Sequence, residues 1–184
     1  DFTGTDLVEA ILRRADKSPL PVCLHLDHCG DYKKIIYAIR AGFTSVMFDG
    51  SSLPFEENIE GARRIVELAH PAEVSVEAEL GTIGSTDSQA EAGAEQIIYT
   101  DPRDAAEFVG RTGVDTLAVA IGTSHGLYPK GVTPRLRLDI LEEIKKTVHV
   151  PLVLHGGSNN PDEEIGEAGK LGINKVNISS DIKA

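Results

Sequence analysis

Three of the six histidines stand at the ends of short apolar stretches: LHLDH at 24–28, LAVAIGTSHG at 117–126 and PLVLHGGS at 151–158. They are His28, His125 and His155. Three imidazoles with open positions left over form the ligand set of a catalytic zinc site, in which the metal acts as a Lewis acid. Asp27 adjoins His28, a natural place for a general acid or base, or for a carboxylate that orients a ligand. Glu77 and Glu79 share strand parity and face one interior, where isolated charge is costly and a cation or a proton is required. Asp49 and Glu79 could offer a metal a second resting place. His25 points to the same face as Asp27 and reads equally as a supporting group or as a satisfied core histidine. His70 and His149 fall in turns or at the opposite ends of elements and carry no assigned chemistry. Gly156-Gly157-Ser158 and Asn177-Ile178-Ser179-Ser180 follow the last two apolar stretches and supply amides and hydroxyls of the kind that bind phosphate.

The elements that must position these residues alternate regularly. Strands are expected at Val22–Leu26, Thr44–Phe48, Val74–Ala78, Thr116–Ile121, Val150–Leu154 and Asn174–Ile178. Most are nearly continuous in apolar residues, as parallel strands covered on both faces are. Helices lie between them with mechanistic start and stop signals: Asp31 before the helix that ends at Gly42, Ser52 before Pro54, Asp101 before Pro102 with Gly113 after, and Asn160 before Pro161 with Gly172 after. Leu138–Lys146 is a further crossover helix, Thr5–Ala15 an opening one, and Asp181–Ala184 the start of another. Repeated β–α units give parallel strands with right-handed connections. The expected fold is a (β/α)₈ TIM barrel of which the chain supplies about six βα units, a single domain over 1–184, incomplete at both ends. A six-stranded doubly wound sheet is the alternative. In a barrel the reactive residues above all fall at the carboxyl ends of the strands, where such folds place their active sites.

Composition narrows the function classes. The 184 residues carry 18 Lys+Arg and 29 Asp+Glu, a formal net charge of −11. A chain this acidic lacks the basic face of a general nucleic-acid binder, yet local backbone sites can still hold a phosphate. No stretch approaches the ~18 apolar residues of a membrane span. The first residues show no basic segment followed by an apolar one, so no signal peptide is visible. Cys23 and Cys29 read as reduced packing residues of a cytoplasmic protein. The chain lacks an initiator Met and starts and stops as if cut from something longer.

Taken together, LHLDH at 24–28, SVMFDGSSLPFEENI at 45–59, VSVEAELG at 74–81, YTDP at 99–102, LAVAIGTSHG at 117–126, PLVLHGGS at 151–158 and KVNISSDIK at 175–183 resemble the class II, zinc-dependent ketose-bisphosphate aldolases of the fructose- and tagatose-1,6-bisphosphate type. The motif variants lean toward the tagatose-like branch. The resemblance covers essentially the whole chain, in order. It implies a zinc (β/α)₈ barrel, a homodimer or homotetramer, that cleaves a ketose bisphosphate to dihydroxyacetone phosphate and an aldehyde. By position, His28, His125 and His155 would hold Zn²⁺, and Asp27 would exchange the proton at the aldehyde-derived oxygen. Asp49 and Glu79 would match the alternative metal position. Gly126, Gly156, Gly157, Ser158, Asn177, Ile178, Ser179 and Ser180 would bind dihydroxyacetone phosphate, near which some relatives place a monovalent cation. No Schiff-base lysine is required, and lysines such as Lys33, Lys34, Lys145 and Lys146 fall on helix surfaces.

The chain departs from the family pattern in places. The family's mobile loop carries a Glu that takes up the substrate proton, and ungapped alignment puts Asp87, one methylene shorter, at that place. Glu91 and Glu95 are the nearby alternatives. The usual GGSG is GGSN here, with Asn159 fourth. Two competing functions are a non-catalytic barrel subunit stabilising a partner aldolase and a zinc hydrolase on the same scaffold. Intact Asp27 and the three histidines argue against the first. The second lacks a water-activating Glu beside the metal unless Glu79 serves.

Overall fold

The computed structural model describes residues 5–81, 84–85, 98–125, 135–158 and 160–183. Asp87, Gly126 and Asn159 lie outside them. The elements are α1 (Thr5–Ala15), β1 (His25–Cys29), α2 (Tyr32–Ala41), β2 (Ser45–Phe48), α3 (Phe55–Ala69), β3 (Ser75–Leu80), β4 (Gly84–Ser85), α4 (Pro102–Thr112), β5 (Thr116–Val119), β6 (Ser124–His125), α5 (Leu138–Thr147), β7 (Leu152–Leu154), α6 (Asp162–Leu171), β8 (Ile173–Val176) and α7 (Ser180–Lys183). The main sheet has six parallel strands in the order β1-β2-β3-β5-β7-β8. It is a partial (β/α)₈ barrel. The sheet curves enough for its outer strands to touch through side chains: Lys175 of β8 meets His25 of β1 at 3.4 Å. The short β4 and β6 pair in parallel beyond the ends of β3 and β5.

The central strands are buried throughout, which explains their apolar composition: β2 and β7 have no exposed residue. Helix α3 turns Ile59, Ala62, Ile65, Val66 and Ala69 onto the sheet, the i, i+3, i+4 spacing of a core-facing helix. Asp31 caps α2 by accepting from the amides of Lys33 and Lys34, and Asp101 caps α4 by accepting from that of Arg103. Gly42 and Gly113 end those helices in the left-handed region. Ser52 and Asn160 do not cap. Helices α3 and α6 begin after Pro54 and Pro161 with no side-chain cap, and the Asn160 amide instead donates to the carbonyls of Gly156 and Ser158. Cys29 is buried as expected, but Cys23 is exposed, because the chain before His25 has not yet entered the sheet.

Strand bounds differ from expectation in a way that matters. The first strand is His25–Cys29 rather than Val22–Leu26, so Asp27 and His28 sit inside it. Residues 22–24 are apolar but lie outside the strand, although the Leu24 carbonyl accepts from the amides of Thr44 and Ser45. The last strand is Ile173–Val176 rather than Asn174–Ile178, which frees Asn177 and Ile178 for the loop at the barrel mouth.

Helix α3 lies so close to β2 that a Cβ at Gly61 would stand 2.3 Å from Cζ of Phe48. Gly61→Ala gains up to about 1 kcal/mol of helix propensity but overpacks the helix–sheet seam, which costs about 1–3 kcal/mol. A net loss of about 1–2 kcal/mol is expected in denaturant unfolding. Unchanged or raised stability would show that the seam is looser than described.

Candidate active site at the carboxyl ends of the strands

The site begins with an irregularity in β1. His25 pairs with Ser45 and Leu26 with Val46, but the next pair is Cys29 with Phe48, so β1 holds one extra residue at Asp27–His28. His28 takes a positive φ of 41°, a conformation a non-glycine residue rarely adopts. In an even strand, neighbours point to opposite faces. The bulge breaks that alternation and lets adjacent Asp27 and His28 both serve the barrel mouth.

His28 then meets three other strands. Its Nδ1 lies 2.7 Å from Oδ2 of Asp49, which follows β2, and 3.8 Å from Oε2 of Glu79 on β3. Its Nε2 lies 2.7 Å from Nδ1 of His155, which follows β7. The two rings cross edge-on, with centroids 4.4 Å apart. His155 is fully buried, and its Nε2 lies 2.9 Å from Oε1 of Glu77. Asp27 is half-exposed and accepts from the Asn177 amide at 3.0 Å. Asp49 also accepts from the Ser51 hydroxyl and amide, which fixes its carboxylate toward His28.

These contacts assign the ring protons. A carboxylate only accepts, so Nδ1–H of His28 donates to Asp49 and Nε2–H of His155 donates to Glu77. The Asn177 amide also lies 3.3 Å from Nε2 of His155, and the other two ring nitrogens, Nε2 of His28 and Nδ1 of His155, face each other at 2.7 Å. Such a pair is repulsive unless a proton or a metal lies there. Beside it, Oε2 of Glu79 is buried with no hydrogen-bond partner among the described residues. Ligand atoms of Asp27, His28 and His155, and separately of His28, Asp49 and Glu79, converge within 4.8 Å. The donors suit zinc, which takes imidazole and carboxylate together.

A second cluster lies at the ends of β7 and β8. The Ser158 hydroxyl accepts from the amides of Ser179 and Ser180, both at 3.0 Å, and more distantly from Asp181 at 3.5 Å. Gly157 fits only because it lacks a Cβ, which would stand 2.5 Å from Cγ1 of Val176. Its amide donates to the carbonyl of Asn177. Gly156 turns the chain with φ 63° directly after His155, and Ile178 stays exposed.

The family model for class II fructose-bisphosphate aldolase matches residues 1–184. The chain belongs to that family. It is 46% identical over 183 residues to the D-tagatose-1,6-bisphosphate aldolase subunit GatY of Klebsiella oxytoca, covering 99% of this chain and 64% of that protein. The crystal structure of the YdjI aldolase of Escherichia coli K12 superposes with TM-score 0.82 at 38% identity, covering 97% of this chain and 61% of the other. The fructose-bisphosphate aldolase of Campylobacter jejuni superposes with TM-score 0.75 at 26% identity, covering 97% and 58%. This class II aldolase-family chain therefore spans about three-fifths of the length of these relatives.

Within the aldolase-family site the charges are strongly perturbed. Burial pushes the Glu79 carboxyl up to about 8, helped by the neighbouring Asp49 carboxylate. Burial would also raise Asp49 and Glu77, but their partners win. Hydrogen bonds from His28 and Ser51 bring Asp49 to about 2, and those from His155 and Lys175 bring Glu77 to about 2. For His28 burial opposes the charged ring, yet the Asp49 bond and the Glu79 and Asp27 carboxylates outweigh it and the pKa rises. The pocket as a whole calls for positive charge.

The fold thus gathers Asp27, His28, Asp49, Glu79, His155 and Asn177 at one mouth, and Gly156, Gly157, Ser158, Ser179 and Ser180 beside it. His125 is placed at the barrel mouth by its backbone in β6, paired with Ser85. Sequence reasoning missed Lys175, whose ammonium reaches Oε2 of Glu77 at 2.7 Å. The available signal was parity: Lys175 lies two residues before Asn177 and faces the same interior. No described helix is long and apolar enough to cross a membrane.

Proposed function

We propose that the chain carries the active site of a zinc-dependent aldolase that cleaves a ketose bisphosphate to dihydroxyacetone phosphate and an aldehyde, and runs the reverse condensation. The observation that carries this reading is the pair of imidazole nitrogens facing each other at 2.7 Å, each with its ring proton committed elsewhere. His28 and His155, with His125, would hold the zinc, and Asp49 and Glu79 would serve the alternative position. Zinc bound there would supply Lewis acidity that stabilises negative charge developing on substrate oxygens.

The chain's own residues do the rest. Asp27, half-exposed at the mouth and oriented by Asn177, gives and takes the proton at the aldehyde-derived oxygen. Asp87, outside the described residues, takes the proton from dihydroxyacetone phosphate, with Glu91 and Glu95 the alternatives. Gly126, Gly156, Gly157, Ser158, Asn177, Ile178, Ser179 and Ser180 line the phosphate subsite, in which the amides of Ser179 and Ser180 rest on the Ser158 hydroxyl. The likeness to a tagatose-bisphosphate relative supports the tagatose-like branch. That relative is named a subunit, which would suit a non-catalytic partner role, but Asp27 and the converging imidazoles favour catalysis. Solvent deuterium exchange into dihydroxyacetone phosphate, with no aldehyde present, tests the reading. Metal-dependent exchange is expected, and its absence would count against the aldolase assignment.

The phosphate assignment makes its own prediction. Ser158→Glu puts a carboxylate where the amides of Ser179 and Ser180 converge. Repulsion between unit charges at 4 Å runs from about 1 to 4 kcal/mol between water and a protein surface. KM for the bisphosphate should rise by at least about fivefold, with zinc content unchanged. An unaltered KM would remove Ser158 from the phosphate site.

A further inference from the structure

Below the facing imidazoles lies a second charged layer. Glu77 is 2% exposed and uses both oxygens. Oε1 accepts from His155, and Oε2 accepts from Lys175 at 2.7 Å and from the Thr116 hydroxyl at 3.1 Å. The Lys175 ammonium also lies 3.4 Å from Nε2 of His25, whose Nδ1 contacts the Ser45 hydroxyl at 2.8 Å. His25, Asp27 and Glu77 resemble a metal-binding trio, but the ammonium already supplies the cation next to two of them. The two buried acids are therefore treated differently. Glu77 has an internal counter-ion and a full set of partners. Glu79, on the same strand face, keeps an oxygen without a hydrogen-bond partner among the described residues.

We propose that Glu77 and Lys175 form a positioning pair that sets the tautomer and ring orientation of His155, so that Nδ1 presents its lone pair to the metal site. The inference rests on the zinc reading above. Lys175 anchors Oε2 of Glu77 from β8, and Thr116 anchors it from β5, so Oε1 is held toward Nε2 of His155. Histidine ligands depend on such a partner at the other nitrogen, and its loss typically costs about 10–100-fold in metal affinity. Glutamine at position 77 is worse than neutral. With its carbonyl turned to Lys175, its amide donates to Nε2 of His155 and moves the ring proton to Nδ1, the nitrogen the metal needs.

The test is zinc affinity, measured by chelator competition, with ¹⁵N NMR of the His155 ring. Glu77→Gln should weaken zinc about 10–100-fold. Lys175→Met should weaken it in the same direction, with Lys175→Arg restoring most of the loss. The double variant Glu77→Gln/Lys175→Met should be no worse than Glu77→Gln alone, because both act through one ring. Zinc affinity of Glu77→Gln within twofold of the unaltered protein would overturn the inference. If the variants fail to fold, the unaltered zinc-loaded protein still decides, since a His155 ring bonded to zinc through Nε2 contradicts it and a protonated Nε2 supports it. Should the unaltered protein take up no zinc, the zinc reading falls and this inference with it. Tight zinc binding that is indifferent to Glu77 overturns the inference alone.

Discussion

Asp27→Ala should lower kcat for carbon–carbon cleavage by about 10²–10⁴-fold, the usual contribution of a general acid–base group, while zinc content stays at the unaltered level. The separation follows from the hydrogen bonds. His28 is oriented through Nδ1 by Asp49, and His155 through Nε2 by Glu77. Neither of those two orienting bonds comes from Asp27, which is 53% exposed and held by Asn177. Removing its carboxylate takes away a proton carrier and leaves both imidazoles in place as donors. Deuterium exchange into dihydroxyacetone phosphate should be largely spared in Asp27→Ala and slowed in Asp87→Ala, because the two acids serve opposite halves of the substrate. Kinetics together with metal analysis by mass spectrometry check this. Loss of zinc along with activity in Asp27→Ala would make Asp27 a ligand instead.

His155→Ala should have the larger effect on metal. An orienting partner is worth about 10–100-fold in affinity, and His155 is proposed as a ligand itself, so zinc binding should weaken by well over about 100-fold. Cleavage should become undetectable at zinc concentrations that saturate the unaltered protein. The side chain is fully buried and reaches both His28 and Glu77, so no solvent-exposed group can swing in to replace it. Chelator competition and cleavage assays on the same preparation measure both effects. Retained affinity in His155→Ala would place the metal elsewhere, with the His28, Asp49 and Glu79 set the first alternative.

The sequence carried the repeat of strands and helices because each element has a local cause. Asp31 and Asp101 cap as expected, each accepting from amides in the first turn of its own helix. Asn160 does not cap, because the helix begins after Pro161, one residue later than the local signal implies, and the Asn160 amide is turned to the carbonyls of Gly156 and Ser158. The strand-end residues Asp27, His28, Asp49, Glu79 and His155 were legible from parity and position. The bulge that turns Asp27 and His28 to one mouth was not, because one extra residue in a strand leaves no mark in composition. The partner of Glu77 was half-legible. The need for a cation followed from burial, but choosing Lys175 required knowing that β8 curves back to face β3 across the interior.

The most direct test of the account is release of dihydroxyacetone phosphate from tagatose- and fructose-1,6-bisphosphate by the zinc-loaded protein, followed through chelation and metal restoration. The account predicts cleavage of at least one of the two, its loss on chelation and its recovery when zinc is returned. Cleavage that survives complete removal of the metal, or a zinc-loaded, folded protein that cleaves neither substrate, would contradict it.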